Sequence, residues 1–167
     1  MPMMTEGGKS RYDSGTQSVH TLYTEMPDIR AGRPGDALTC ATILNRWIDA
    51  TDWMPRVHSA DDVERHYRDF VFREREVYVI GNPARAYISL SDEDEVTSLY
   101  SAVPGQGHGK ALIDHAKTLR PRLSLWTFES NTGAQRFYLR EGFAEVERSA
   151  GDNEEKLPDI RYEWGRA

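Results

Sequence analysis

A glycine-rich stretch that runs directly into a helix places the strongest constraint on this fold. Residues 103–117 read VPGQGHGKALIDHAK, with Gly105, Gly107 and Gly109 at alternate positions. Small residues before a helix leave backbone N–H groups open to an anion, and the helix adds the positive end of its dipole. A tight turn needs glycine for a different reason, its backbone freedom. The stretch therefore predicts a strand–loop–helix unit that either binds phosphate or turns a corner.

Two common phosphate-binding loops do not match this stretch. The P-loop needs a glycine and a magnesium-binding hydroxyl where this chain has Pro104 and Ala111. The dinucleotide fingerprint needs a glycine at the position of Lys110. A third pattern, Q/R-x-x-G-x-G/A, is satisfied by Gln106, Gly109 and Ala111. We therefore expect a cradle of backbone amides that fits a diphosphate.

The hydrophobic pattern places this unit in the middle of an α+β domain. Two helices come first, with caps predicted at Asp36 and at Ser59 or Asp61. The predicted strands that follow are residues 76–80, 84–90, 95–103, 123–128, 143–149 and 160–164. One helix follows the glycines and another spans residues 131–140. The order predicts a β-β-β-α-β-α-β-β core, with a mixed, mostly antiparallel sheet and flanking helices.

Length and composition predict one domain and exclude several functions. Residues 1–27 are polar and lack periodicity, which predicts a flexible tail before a single domain over residues 28–167. The net charge of −6 argues against general binding to nucleic acid or anionic membrane. Cys40 is the single cysteine, which excludes an internal disulfide and fits a cytoplasmic location. The spacing of the His, Asp and Glu residues indicates no metal.

A second motif follows the predicted strand 123–128, where residues 131–143 read NTGAQRFYLREGF. Together with the glycine stretch upstream, this constellation resembles the GCN5-related N-acetyltransferase (GNAT) superfamily. The resemblance rests on LYSAVPGQGHGKALIDHA, on SLWTFESNTGAQRFYLREGF and on the order of elements around them. It covers roughly residues 29–164 and is specific between residues 95 and 143.

The resemblance implies that acetyl-CoA binds in a V-shaped cleft between two splayed strands, here residues 95–103 and 123–128. A bulge at residues 101–103 would leave backbone groups for the pantetheine arm, and one N–H there would polarise the thioester carbonyl. The diphosphate would bind amides within residues 106–111. The implied cofactor-binding residues are Ser101, Ala102, Val103, Gln106, Gly107, His108, Gly109, Lys110, Ala111 and Asn131.

The same resemblance implies chemistry for two residues of the second motif. Tyr138 would protonate the departing CoA thiolate, because a phenol with a pKa near 10 can donate a proton to it. Asn131 would bind the pantetheine chain or the substrate, and it suits a helix cap equally well. The implied reaction is direct attack of a primary amine on acetyl-CoA in a ternary complex.

The acceptor and the general base stay open at this point. GNAT proteins usually place acceptor specificity in the loop between the first two helices, which here contains Trp53, Arg56 and His58. His58 and Glu95 are the candidates for the base, although Glu95 also suits a solvated hairpin. The negative charge favours cationic or small amines. Protein N-termini, lysine side chains, polyamines, amino acids and aminoglycoside-like amines all fit.

Two alternatives keep the fold but change the activity. A catalytically silent acetyl-CoA-binding regulatory module would keep the glycine loop and lose the acid, whereas Tyr138 is present. An acyltransferase that uses a longer acyl-CoA would differ in the volume of the pocket near Trp126 and Phe128. GNAT proteins often dimerise, and the C-terminal strand, residues 160–164, is a candidate edge for a homodimer.

Overall fold

The computed structural model describes residues 27–167. Its strands are β1 (Ile29–Ala31), β2 (Glu76–Ile80), β3 (Ala86–Leu90), β4 (Val96–Ser101), β5 (Arg122–Phe128), β6 (Ala144–Ser149) and β7 (Asp159–Gly165). Its helices are α1 (Ala37–Ala50), α2 (Ala60–His66), α3 (Phe72–Glu74), α4 (His108–Leu119) and α5 (Thr132–Arg140). A 3-10 turn (Pro34–Asp36) precedes α1, and a π-helical turn (Tyr67–Val71) joins α2 to α3. Apart from Pro27, the predicted tail over residues 1–27 lies outside the described residues.

The predicted order of core elements is confirmed, and one strand was missed. β1 pairs antiparallel with β2, with Ile29 opposite Ile80. Three residues are too few to show the alternation of apolar and polar positions by which a strand is recognised in a sequence. The predicted third strand was also too long, because β4 ends at Ser101.

The strands form two antiparallel sheets that splay apart between β4 and β5. One sheet has the order β1-β2-β3-β4 and the other β5-β7-β6. Within residues 27–167 they are joined by a single parallel bridge between Glu95 and Ser124. The prediction of splayed central strands is therefore confirmed.

The C-terminal strand lies inside its sheet, so the prediction that residues 160–164 form an edge was wrong. β7 pairs with β5 on one side, where Tyr162 faces Leu125, and with β6 on the other, where Glu163 faces Ala144. One edge of the β5 backbone is paired with this last strand of the chain. The outer strand is β6, whose residues from Ala144 to Arg148 are exposed.

Two apolar clusters lie on opposite faces of the first sheet. Ile88 and Leu99 face the cluster beneath α4 and α5, whereas their neighbours Tyr87 and Tyr100 face the cluster beneath α1, α2 and α3. Alternate strand residues point to opposite faces, so each strand supplies both clusters. No helix among residues 27–167 has the length and apolarity that a membrane span requires.

One of the two predicted helix caps is present. The Ser59 hydroxyl accepts a hydrogen bond from the N–H of Asp62 at 3.1 Å. The prediction for Asp36 was wrong, because its carboxylate pairs with Arg30 at 2.8 Å and accepts the N–H of Arg33 at 2.8 Å. The carboxylate of Asp36 stabilises the charged guanidinium of Arg30, and this ion pair links β1 to the start of α1.

Candidate active site

The cleft begins where β4 and β5 diverge. The N–H of Ser124 donates to the carbonyl of Asp94 at 3.0 Å, and the bridge between Glu95 and Ser124 lies beside this bond. Beyond this point β4 has no neighbour on that side within the described residues. An unpaired strand edge can bind an extended ligand as an added strand. The cleft therefore suits a long arm that carries its own amide groups.

A β-bulge is present in β4, but not at residues 101–103 as predicted. Ser89 lies opposite Ser98 while Leu90 lies opposite Val96, so Thr97 is the extra residue. The Thr97 hydroxyl lies 2.7 Å from the hydroxyl of Ser89, which fixes the irregularity at the beginning of the strand. The resemblance implied a bulge at the end of the strand, whereas the extra residue lies near its beginning.

The end of β4 offers different backbone groups from those expected. The N–H of Ala102 donates to the carbonyl of Arg85 at 2.7 Å, so it is not free for a ligand. Alternate residues of an antiparallel ladder point their N–H and C=O groups to opposite sides. The backbone groups of Ser101 and Leu99 therefore face the open edge. Leu99 was missed because an apolar side chain gives no sign of an unpaired backbone.

The glycine loop forms the N-terminal end of α4. Gly107 precedes the helix with φ of 73°, a left-handed conformation that favours glycine. A Cβ at Gly107 would meet no heavy atom within 4 Å, so the space before the helix is open. The N–H groups of His108, Gly109 and Lys110 are the first three of the helix, which have no acceptor within it. Ala111 does not belong with them, because its N–H donates to the carbonyl of Gly107 at 3.1 Å.

Two side chains at the start of α4 have been given cofactor-binding roles by the resemblance. The ammonium of Lys110 lies 3.1 Å from the carboxylates of Asp114 and Glu141, and these hydrogen bonds raise its pKa. His108 is half-buried, and its Nδ1 has no hydrogen-bond partner among residues 27–167. Burial and the charge of Arg85 lower the pKa of His108, so the ring is neutral at pH 7.

Tyr138 lies in the apolar cluster beneath α4 and α5. Its side chain is fully buried, and its ring packs edge-on against Phe137 and Phe143 at centroid distances of 5.1 and 5.5 Å. The hydroxyl has no hydrogen-bond partner among the described residues. Burial raises the pKa of Tyr138 well above its usual value, so the phenol keeps its proton. A buried hydroxyl without a partner is costly, which makes it a candidate for binding a ligand.

Asn131 combines a structural role with an unused donor. Its Oδ1 accepts a hydrogen bond from the N–H of Ala134 at 3.1 Å, which caps α5 as the sequence allowed. Its Nδ2 is buried and has no partner among residues 27–167. The residue sits just after β5, at the wide end of the cleft. Capping and ligand binding are compatible because they use different atoms of the amide.

A cavity of about 510 Å³ lies over the other face of β4, beneath α1 and α2. Thr97, Ser98 and Tyr100 from β4 form part of its wall, and Phe128 from the end of β5 forms another part. The loop between β6 and β7 closes it from outside. The histidines and the charged residues in its lining are His58, Asp62, His66, Arg75, Glu154 and Glu155. This cavity meets the same two strands as the cleft, from the opposite face.

Of the predicted acceptor residues, His58 lines this cavity. Its Nε2 lies 2.9 Å from the carboxylate of Glu154, which comes from the loop between β6 and β7. This pair joins two loops that lie 96 residues apart in the sequence. Glu154 was missed because nothing in the polar stretch GDNEEKLPD distinguishes it from its neighbours.

The other three predicted acceptor residues lie elsewhere. Trp53 packs edge-on against Phe128 at 5.7 Å. Arg56 bonds to Asp49 and to the carbonyl of His58. Both therefore hold the loop in place instead of lining the cavity. Glu95 lines a separate cavity of about 350 Å³ on the side of β6 and β7. No group of three or more His, Cys, Asp or Glu side chains within residues 27–167 is arranged to hold a metal ion.

Comparison with known proteins found acetyltransferases among the proteins that this chain is similar to. No family model matches the chain. The peptidyl-lysine N-acetyltransferase YjaB of Salmonella typhimurium is 30% identical over 142 residues, which span 77% of this chain and 90% of that protein. The solution structure of apo-form YjaB from Escherichia coli matches with a TM-score of 0.67 at 26% identity, covering 84% of this chain and 98% of that one.

Two further solved structures share the fold. A GCN5-related N-acetyltransferase from Rhodopseudomonas palustris matches with a TM-score of 0.71 at 20% identity, covering 83% of this chain and 95% of that one. The structure of yncA from Salmonella typhimurium, with its cofactor acetyl-CoA, matches with a TM-score of 0.63 at 18% identity, covering 84% and 94% of the two chains. These two likenesses establish the architecture, and they fit the α+β fold with splayed strands.

Proposed function

The chain belongs to the GCN5-related N-acetyltransferase superfamily, and we propose that it transfers an acetyl group from acetyl-CoA to a primary amine of a small molecule or peptide. The amine nitrogen attacks the thioester carbonyl directly in a ternary complex. The new C–N bond forms as the C–S bond breaks, the amine loses a proton and the CoA thiolate gains one. Each proton transfer needs an acid or a base, and the candidates come from the cleft beside β4 and from the 510 Å³ cavity on its other face.

The separation of β4 from β5 is the observation that carries this proposal. The open edge of β4 offers the backbone groups of Leu99 and Ser101 to a pantetheine arm. The amides of Gly107, His108, Gly109 and Lys110 follow at the start of α4, where a diphosphate would gain from the helix dipole. The exposed residues Val103 and Gln106 lie between the end of β4 and the start of α4. The unused Nδ2 of Asn131 fits the same arm. The chain therefore has polar groups for the pantetheine arm and for the diphosphate of the cofactor that it would bind.

Tyr138 is proposed as the acid that protonates the departing thiolate. Its hydroxyl has no hydrogen-bond partner among residues 27–167, and burial keeps the phenol protonated. Both features suit a group that keeps its proton until the thiolate forms beside it. Because negative charge develops on sulfur as the C–S bond breaks, the transfer would be coupled to that step.

His58 is the better placed of the two candidates for the base. It lines the 510 Å³ cavity, whereas Glu95 lines a different one. Its Nε2 bonds to Glu154, so a carboxylate is in place to stabilise the imidazolium that forms when the ring takes a proton. The amine would reach the thioester through this cavity, from the face of β4 opposite to the cofactor helix.

Three further features complete the proposal. A cationic acceptor agrees with the carboxylates of Asp62, Glu154 and Glu155 in the cavity lining, and the relative YjaB acts on peptidyl-lysine. A cytoplasmic location agrees with Cys40, which is fully buried and without a disulfide. A homodimer would use the exposed outer strand β6 instead of β7.

Calorimetric titration with acetyl-CoA tests the proposal. We expect binding by the wild type, and weaker binding by Gln106→Glu, because the new charge lies where the diphosphate would bind. Thr118→Glu is the matched control, since it adds the same charge at the far end of α4 and should bind normally. No binding by folded wild-type protein would overturn the proposal. Binding without transfer to any amine would favour the silent module, and stronger activity with butyryl- or octanoyl-CoA would favour a longer donor.

A further inference from the structure

Two carboxylates in the lining of the 510 Å³ cavity already have partners. Glu154 pairs with His58 at 2.9 Å. Asp62 pairs with Arg65 at 2.8 Å. Paired groups lose part of their attraction for a ligand, because binding would first have to break the existing contact. The groups that select an acceptor are therefore the ones that remain without a counter-ion.

Two charged residues of the lining have no ion pair among residues 27–167, and their charges are opposite. Arg75 bonds to no carboxylate, and its guanidinium lies over the ring of Phe70 at 5.1 Å. Glu155 is half-buried and has no hydrogen bond or ion pair within the described residues. A partly buried ion without a partner is costly, so each of these groups is suited to a ligand of opposite charge.

The two groups enter the cavity from different segments of the chain. Glu155 belongs to the loop between β6 and β7, whereas Arg75 lies between α3 and β2. The guanidinium of Arg75 lies over the ring of Phe70, and the ring of His66 stacks on the same Phe70 at 5.1 Å. Burial lowers the pKa of His66, and the nearby groups His58 and Arg75 lower it further. The cavity therefore has an anionic group on one part of its wall and a cationic group, beside His66, on another.

We infer that the acceptor carries a carboxylate as well as its amine, as amino acids and short peptides do, with Glu155 attracting the ammonium and Arg75 binding the carboxylate. This inference rests on the proposed acetyl transfer and names the substrate class of that site. A guanidinium binds a carboxylate through two parallel hydrogen bonds, which gives direction as well as affinity. The neutral ring of His66 is a further donor on the same side. A lysine side chain within a folded protein lacks this second charge.

Matched pairs of amines test the inference. Each L-amino acid of a panel is compared with the amine that lacks its carboxylate, for example phenylalanine with 2-phenylethylamine, and 6-aminohexanoate with hexylamine. Release of CoA thiol from acetyl-CoA gives kcat/KM for each. We expect the carboxylate to raise kcat/KM by about tenfold or more, as expected for a charge-assisted hydrogen bond. Arg75→Gln should remove this preference, so that kcat/KM falls by about tenfold more for the amino acids than for the matched amines without a carboxylate.

Two variants guard the interpretation. Arg73→Gln removes an exposed guanidinium two residues away, and it should keep the preference. Arg75→Lys retains the charge and should keep part of it. Equal rates with both members of each pair in the wild type, or a preference that survives in Arg75→Gln, would overturn the inference and leave acetyl transfer standing. Failure to acetylate any amine, with acetyl-CoA binding absent, would overturn the proposed function and this inference with it.

Discussion

The two faces of β4 offer a ligand different kinds of groups. On the side of α4 and α5, the available groups belong to the backbone: the open edge of β4 and the first amides of α4. On the side of α1 and α2, they belong to side chains such as His58, Arg75 and Glu155, which come from three separate segments. A backbone site tolerates many side chains but needs one chain conformation. A side-chain site needs particular residues and permits many conformations of the chain around it.

The largest expected effect comes from Tyr138→Phe. Because the variant removes one hydroxyl that faces no other described group, the fold and acetyl-CoA binding should survive. Loss of a general acid typically costs about 100-fold or more in rate. We therefore expect kcat to fall by about 100-fold in steady-state assays, with the calorimetric Kd for acetyl-CoA unchanged. An unchanged kcat would remove Tyr138 from the mechanism.

His58→Gln examines the acceptor side alone. If the ring takes the amine's proton, kcat/KM for the acceptor should fall by about tenfold or more. Glu154→Gln should have a smaller effect, within about fivefold, because the pair is exposed and exposed ion pairs contribute little. Neither variant should change the Kd for acetyl-CoA. A change in that Kd would show that the two sides are not independent.

Gly107→Ala examines the backbone side. The φ of 73° at Gly107 is unfavourable for alanine, so the free energy of unfolding should fall by about 1 kcal/mol. Gly35→Ala is the control, because a Cβ there also meets open space and the backbone is not left-handed. Thermal and urea unfolding measure both variants. Equal stability of the two would mean that the glycine loop adopts another conformation in solution.

The smallest expected effect is on the pH dependence of turnover. Burial raises the folded-state pKa of Tyr138, so the phenol remains protonated to higher pH than a free tyrosine. The acid form is present at all pH values below that raised pKa and is lost only above it. We therefore expect no alkaline decline in kcat that depends on Tyr138 below about pH 10. A decline near neutral pH that is absent from Tyr138→Phe would contradict this.

The same contrast explains which parts of the molecule were predictable. The residues proposed to bind the cofactor lie in two short stretches of the sequence, and the spacing of the glycines indicates the backbone conformation directly. The order of the core elements followed from local patterns in the same way. The acceptor side is assembled from distant segments, and the contact between His58 and Glu154 has no local signal. Nothing in the sequence indicates that Arg56 forms an ion pair with Asp49, as it does in the folded protein.

The errors within the sheet have a related cause. β7 lies between β5 and β6 and forms backbone hydrogen bonds with both. The hydrophobic pattern of a strand does not specify which strands lie beside it. The position of the bulge at Thr97 depends on a contact with Ser89 across the sheet. Local sequence patterns predicted the helices and strands, whereas contacts between strands determine the strand registers and which strand edges remain unpaired.

The most direct test of the central claim is to identify the products of one reaction. Purified protein is incubated with acetyl-CoA and the best amine of the panel, and mass spectrometry measures the acetylated amine while a thiol reagent measures free CoA. We expect the acetylated amine and CoA in equal amounts with the wild type, and only a small fraction of both with Tyr138→Phe. CoA release without acetylamine, or equal yields from the two proteins, would contradict it.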